Sequence, residues 1–428
     1  MKKYIDMKFI EELKWRGLIH DIMPGTKEQF QKEMTSAYIG FDPTADSLHI
    51  GNLVQIMTLV HLQKCGHKPY ILVGGATGMV GDPSGKNTER NLLDNNTINN
   101  NLKCIQKQLK KFLKFEGVNN TAEIVNNYDW FKELSFLDFI RNVGKHVSIN
   151  YMMAKDSVKS RLESGMSFTE FSYQLVQGYD FYWLWKNKNC KVQLGGSDQW
   201  GNIVTGTELI RRKGNGKAFA VTTPLIQKSD GGKFGKTEYG NVWLDKVKTS
   251  VYKFYQFWLN SSDIDAKNYI RIFTLLSQKE ILKLIKAHDE APHLRILQNT
   301  IANDITIRVH SKKELEIAKK ATNILFGKST ENDLKSLEES TFLSVFEGVP
   351  TAKIKKSDLN IDLLDFLVNK VQFFDSKSEA RRMIKGNAVS INKEKITESF
   401  QLSKECLINN KYIVVQKGKK NYSLVVIS

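Results

Sequence analysis

Between about residues 38 and 225 the chain alternates short β-rich apolar runs with longer stretches of helical spacing, a pattern that predicts a parallel sheet covered by helices. Ala37 to Phe41, Pro69 to Val73 and Cys190 to Leu194 read as strands, each entering a glycine-containing turn where a ligand can approach the backbone. Leu53 to Lys64 reads as a helix between the first two. In an open sheet of this kind ligands bind beyond the carboxyl ends of the strands, so the residues after each run are where chemistry is expected. The stretch Asn91 to Asn101 is crowded with asparagine and reads as a low-complexity surface loop.

From about 248 to 328 the pattern turns helical, opened by Tyr252, Tyr255, Phe257 and Trp258 and continued by Ile281, Leu282, Leu284 and Ile285. The expected organisation is a doubly wound α/β domain over 1–247, an α-helical domain over 248–328, a polar linker over 329–356 containing Pro350, and a small Lys-rich α+β domain over 357–428.

Composition sharpens this outline. A chain of 428 residues exceeds what one core usually supports. With 41% apolar and 25% charged residues it reads as soluble, and no run of about 18 apolar residues could span a membrane. The net charge of +17 favours a polyanionic partner. Cys65, Cys104, Cys190 and Cys406 lie far apart without CxxC spacing, which suggests neither a zinc site nor a disulfide framework and fits a reducing cytoplasm. The first residues are basic at Lys2 and Lys3 but soon carry Asp6, Glu11 and Glu12, unlike a secretory signal.

The candidate chemistry falls in five segments. Tyr38 to Asn52 reads as strand, turn and helix start; a helix N-terminus offers free N–H groups and partial positive charge, so Thr44 and His49 there can contact nucleotide phosphates while Gly51 permits close approach. Val73 to Gly78 with Gly81 to Lys86, Ser167 to Asp180, and Gln193 to Asn202 follow, bracketing polar residues with glycine turns. Lys233-Phe234-Gly235-Lys236-Thr237 is a short loop with two cations. In the tail, Lys377, Arg381, Arg382 and Lys385 lie on a predicted helix followed by a turn and a strand, a unit that can lay cations along an RNA backbone. Lys417, Lys419 and Lys420 add charge near the last strand.

These segments, in this order and over essentially the whole chain, resemble the class I aminoacyl-tRNA synthetases, and the flanks of the first are similar to the bacterial-type tyrosyl-tRNA synthetases. The resemblance implies a Rossmann-like catalytic domain with a dimerisation insertion, a helical domain that binds the anticodon region, and a C-terminal RNA-binding module. It implies that Tyr38 and Asp180 hydrogen-bond the substrate phenol, that Asp82, Tyr173 and Gln177 hold its ammonium, and that Gln199 lies near its carboxylate. Gly196 and Asp198, with Asp42 nearby, would contact the adenylate ribose, and Lys233 and Lys236 would close over the pyrophosphate end of ATP. Thr44, His49, Lys86, Arg90, Lys233, Lys236 and Thr237 are the implied phosphate contacts.

Two positions depart from the family: Asn52 stands where a second histidine is usual, and Ile39 where a small polar residue is. Asn52 keeps an N–H that could reach a ribose oxygen; the Ile39 side chain cannot hydrogen-bond. The implied reaction is tyrosine activation by ATP, with Mg²⁺ accompanying the nucleotide, followed by transfer to tRNA-Tyr on a homodimer. No dedicated metal-ligand cluster is expected. Phe168 falls at the family's subunit contact, with an internal core position as the alternative. Rival readings are a non-catalytic RNA-binding protein derived from a synthetase and a different nucleotidyl-transferring enzyme.

Overall fold

A computed structural model of the chain describes residues 8–84, 93–155, 158–159, 165–237, 240–326, 330–347, 349–418 and 421–428. They form two compact units, one of residues up to Thr249 together with Phe257–Val309, the other of Ser250–Gln256 and His310–Ser428.

In the first unit, β1 (Ser36–Phe41), β2 (Lys68–Val73), β3 (Glu123–Asn126), β4 (Cys190–Gly196) and β5 (Phe219–Thr223) form one sheet in the order β3-β2-β1-β4-β5. Every pairing is parallel. Helices cover both faces, so the central strands are nearly continuous apolar runs; Ala37, Tyr38, Ile39 and Phe41 of β1 are all buried. The strand order reverses between β1 and β4, and the crevice at their carboxyl ends is where such a sheet binds ligands. Helix α1 (Leu53–Lys64) leaves the turn after β1, at the bounds its sequence predicts. Helix α2 (Phe168–Lys188) is capped by the Ser167 hydroxyl and stops at Asn189, a left-handed residue that turns the chain into β4.

The asparagine-rich stretch corrects one expectation. Residues from Asn95 onward form a helix, Asn95–Leu109, and residues 91–92 lie outside the described residues. Asp94 caps it by accepting the Asn96 and Thr97 N–H groups, while Ile98, Leu102, Ile105 and Leu109 fall on one buried face at helical spacing. Asn101 is itself buried and donates to the Pro43 carbonyl at 2.9 Å. It holds the turn that carries the candidate phosphate contacts.

Helices Asp263–Phe273, Gln278–Glu290 and Ile296–Val309 complete the first unit. Arg16, 2% exposed, fastens the end of the first of these by donating to the carbonyls of Arg271, Thr274 and Leu276. Large apolar side chains are exposed on this unit at Phe136, Leu137, Ile140, Ile149 and Phe168. Phe168 is 65% exposed, which removes the core alternative for it.

The second unit has helix Lys312–Phe326 and a sheet of β8 (Thr351–Ile354), β9 (Val389–Ile391), β10 (Glu394–Lys395), β11 (Tyr412–Lys417) and β12 (Asn421–Ile427), ordered β10-β9-β11-β12-β8. Along β11 the side chains alternate between two cores: Ile413 and Val415 pack with Phe366 and Leu367, Tyr412 and Val414 with Phe342 and Phe346. The polar stretch read as a connection carries helices Glu331–Lys335 and Glu339–Val345 and strand β8, which pairs with β12. Its apolar residues Leu334, Phe342 and Phe346 are buried in one of those cores. Among the described residues no helix is long and apolar enough to cross a membrane.

Candidate active site

A cavity of about 670 Å³ opens at the crevice between β1 and β4. Tyr38, Asp42, Thr44, His49, Gly51 and Asn52 reach it from β1 and the following turn. Tyr173, Gln177 and Asp180 reach it from α2, where the spacings of four and three put them on one helical face. Asp82 comes from the loop after β2, and Gly196, Asp198 and Gln199 from the end of β4. The structure therefore brings these sequence-predicted residues to one wall-to-wall site.

At its floor lies a buried carboxylate. Asp180 is 1% exposed, and it accepts the Asn127 amide at 3.0 Å and the Trp130 indole N–H at 2.9 Å. Burial pushes the Asp180 carboxyl well above the usual carboxylate range, against the pull of those two donors. Tyr38 is equally buried; burial and the charge of Asp180 raise its phenol far above the usual value, so the hydroxyl keeps its proton. Among the described residues that hydroxyl has no hydrogen-bond partner, and neither has the buried Oε1 of Gln193, the residue opposite Tyr38 on β4, nor the buried Oε1 of Gln55. All three residues line the cavity, so a bound ligand that pairs with them recovers the free energy of buried polar groups left unmatched.

The middle of the site is an anionic network. Asp42 accepts the Thr77 hydroxyl and the Tyr173 hydroxyl, each at 2.7 Å. Tyr173 stays protonated because burial and then the charges of Asp42 and Asp82 oppose its ionisation. Asp82 accepts the Ser84 N–H at 2.9 Å and the Gln199 amide at 2.7 Å. The buried Asn202 amide bridges Ser84, Gln177 and Gln199 at 3.2 to 3.3 Å. Gly74 is required beside this network, since a Cβ there would lie 2.1 Å from Asp42 Oδ1. Several carboxylates set around a pocket suit a substrate ammonium. Burial also raises the Asp198 carboxyl, and Asp82 adds to the effect.

At the mouth, His49 caps the turn Ile50–Asn52. Its Nδ1 accepts the Gly51 N–H at 3.1 Å, which leaves the proton of a neutral ring on Nε2. Asn52 returns the bond, its Oδ1 accepting the His49 N–H at 3.0 Å. The departure from histidine at this position thus has a structural use. Gly51 has no room for a side chain: a Cβ would lie 2.8 Å from His49 Cε1.

Lys233 and Lys236 are exposed on a loop and do not line the cavity, although Phe234 between them does. Phe234 between them stacks on Phe273 at 5.3 Å and meets Trp258 and Tyr269, anchoring the loop. Strands β6 (Lys236–Thr237) and β7 (Gly240–Asn241) pair across its end. Lys86 and Arg90 lie outside the described residues, as does the side chain of Thr237. Among the described residues no group of three or more His, Cys, Asp or Glu side chains could hold a metal ion.

In the tail, helix α3 (Lys377–Lys385) presents Lys377, Arg381 and Lys385 four residues apart, with Arg382 beside them, all exposed. Lys377 pairs with Asp365 at 2.6 Å, and Arg381 and Lys385 pair with Glu398 at 3.1 and 3.7 Å. Exposed pairs of this kind contribute at most about 1 kcal/mol, so phosphates can replace the carboxylates.

Sequence reading missed Asn127, Trp130, Gln55 and Trp243, and gave Thr77, inside the Val73 to Gly78 segment, no role of its own. The first two follow β3, a half-buried edge strand with a weak apolar signal; the polar residues closing that run were the signal available.

A parallel sheet with its cavity at the switch point and a His-x-Gly turn opening the next helix is the arrangement of a class I synthetase. The chain belongs to the tRNA synthetases class I (W and Y), whose family profile matches residues 31–327. The tyrosine-tRNA ligase SYY-like C-terminal domain profile matches residues 341–425. The tyrosine-tRNA ligase of Flavobacterium johnsoniae is 62% identical over 97% of this chain and 98% of that protein. The tyrosine-tRNA ligase of Bacteroides fragilis is 58% identical over 98% of this chain and 100% of that protein. Among solved structures, a C-terminally truncated mitochondrial tyrosyl-tRNA synthetase of Aspergillus nidulans superposes with a TM-score of 0.68 at 31% identity, covering 74% of this chain and 94% of its own.

Proposed function

We infer that the chain is a tyrosine-tRNA ligase: it activates L-tyrosine with ATP to tyrosyl-adenylate and pyrophosphate, then transfers the tyrosyl group to the 3′ end of tRNA-Tyr. The observation that carries the amino-acid choice is the buried, unpartnered Tyr38 hydroxyl beside the buried Asp180 carboxylate. A substrate phenol donates to Asp180 and accepts from Tyr38, whereas phenylalanine leaves the Tyr38 hydroxyl unmatched and gives Asp180 no third donor, at a cost of about 1 to 3 kcal/mol or more.

Asp82, Tyr173 and Gln177 hold the ammonium, and Gln199 sits near the carboxylate. A carboxylate oxygen attacks the α-phosphorus, the bond to the bridging oxygen of pyrophosphate breaks, and pyrophosphate leaves. A terminal ribose hydroxyl of the tRNA then takes the acyl group and AMP departs. No side chain becomes covalently linked, so rate comes from positioning and from donors set where negative charge develops. His49 Nε2–H and Thr44 serve the phosphates at the helix start, with Asn52 holding His49 in place. Gly196, Asp198 and Asp42 serve the ribose. Lys233 and Lys236, exposed on their loop, reach the pyrophosphate when the loop moves inward, with Thr237, Lys86 and Arg90 adding contacts. These nitrogen and hydroxyl donors suit phosphate rather than a metal, so Mg²⁺ accompanying ATP would be carried by phosphate oxygens and water, neutralising phosphate charge.

The helical region 248–328 and the tail bind tRNA, with Lys377, Arg381, Arg382 and Lys385 meeting its backbone. The exposed Phe136, Leu137, Ile140, Ile149 and Phe168 support a homodimer, since so many large apolar side chains on one unit are costly to leave in water. We assign the protein to the cytoplasm, where its substrates meet. Charging of bulk tRNA with labelled tyrosine tests this reading: tyrosine-dependent, ATP-dependent acylation is expected, and tRNA binding without acylation contradicts it.

A further inference from the structure

We infer that Trp243 is a positioning residue for His49 in adenylate formation, an inference that rests on the function proposed above. Nothing in the signature segments pointed to it. Trp243 lies nine residues past Phe234, the anchor of the cationic loop, on the stretch that follows β7, yet it forms a β-bridge with His49. The pairing is continued on either side: Ile50 donates to the Val242 carbonyl at 2.9 Å and Leu244 to the Leu48 carbonyl at 2.8 Å. The chain after the loop is thus zipped to the turn that begins α1.

That pairing puts one ring against the other. The Trp243 and His49 centroids are 5.9 Å apart with the planes at 65°, an edge-to-face contact, and both rings line the cavity. The imidazole is consequently held three ways. Its Nδ1 accepts the Gly51 N–H, Gly51 contributes no Cβ that would displace it, and Trp243 closes the remaining side. A proton donor on Nε2 is useful only if the ring keeps its direction, because a side chain free to turn about χ1 and χ2 spends little time aimed at a phosphate.

Trp243 is itself tied down. Its backbone N–H donates to the Thr249 hydroxyl at 2.9 Å. The Lys248 ammonium lies 5.3 Å from its ring centre while also pairing with Asp46 at 2.7 Å, on the turn before His49. The ring is therefore fixed from the loop side and from the His49 side at once. Val242, its neighbour, also donates to the Gly235 carbonyl at 2.9 Å, so the backbone that places Trp243 is the one that ends the cationic loop.

The test is a double-mutant cycle in the full chain, read by pyrophosphate exchange with tyrosine under saturating ATP. Trp243→Leu is expected to lower kcat roughly tenfold or more with the KM for tyrosine unchanged, because misplacing a group by a fraction of an ångström costs rate rather than amino-acid binding. In a His49→Gln background the same Trp243→Leu change is expected to lower kcat less than about twofold, since the residue it acts through is gone. Trp243→Phe, which keeps an aromatic edge and folds if the bulk of the side chain is the only structural demand, is expected to restore most of the loss. Additive effects of the two substitutions, or a rise in the KM for tyrosine that accounts for the loss, overturn the inference while leaving the proposed function standing. Absence of exchange by the unmodified chain overturns both.

Discussion

Trp130 donates its indole N–H to Asp180 at 2.9 Å, so a residue from the edge of the sheet helps fix the carboxylate at the bottom of the cavity. Asn127 supplies the second donor from the same segment. Both donors favour the charged form, against a burial that drives the group toward neutrality and remains the larger effect.

Trp130→Phe removes one of those donors while keeping an aromatic ring to stack on Trp183, which lies 4.3 Å away and nearly parallel. Losing a hydrogen bond to this buried carboxyl costs about 1.5 to 3 kcal/mol, so kcat/KM for tyrosine is expected to fall by roughly 10- to 150-fold. The KM for ATP should stay where it is. Steady-state kinetics with each substrate varied in turn measure both.

His67 gives the fold a pH dependence. It is 7% exposed, its Nδ1 accepts the Thr35 N–H at 3.2 Å, and burial lowers its pKa from 6.5 to about 4. Folding therefore favours the neutral ring: between pH 6.5 and 4 the unfolded chain binds a proton that the folded chain refuses, and stability falls as the pH drops. The contribution is whole above pH 6.5 and amounts to about 3 kcal/mol at most. His61, also buried and also held neutral by burial, adds to the same slope. Urea titrations at pH 7.5, 6 and 5 should show a shallower decline for His67→Gln than for the unmodified chain; equal declines would remove His67 from the account.

Arg381→Ala combined with Arg382→Ala should raise the KM for tRNA in charging by about tenfold and weaken its salt dependence, because phosphate contacts are lost without touching the cavity. Tyrosine-dependent pyrophosphate exchange should be unchanged. An equal loss in both assays would remove the tail from tRNA binding.

Much of this site was legible because its residues sit where apolar runs stop. β1, β2 and β4 announce themselves as buried strands entering glycine turns, and α1 by a helical run behind His49. Tyr173, Gln177 and Asp180 are legible as one face of α2 from their spacing. The asparagine-rich helix was hidden because asparagine favours turns and caps, and that local preference lost to four apolar residues packing on one face. The support of Asp180 by Asn127 and Trp130 was hidden for another reason: it depends on β3 pairing with β2, a register that brings residues some fifty positions apart into contact. The same holds for Trp243 and His49, joined by a bridge that no local pattern announces.

The central claim is best tested by ATP-pyrophosphate exchange with each of the twenty amino acids in turn, without tRNA, in the unmodified chain and in Tyr38→Phe. The account predicts exchange with tyrosine alone in the unmodified chain, and a Tyr38→Phe variant whose preference for tyrosine over phenylalanine falls by roughly 5- to 150-fold as one partner of the phenol is lost. Exchange with another amino acid, or with none, would contradict it.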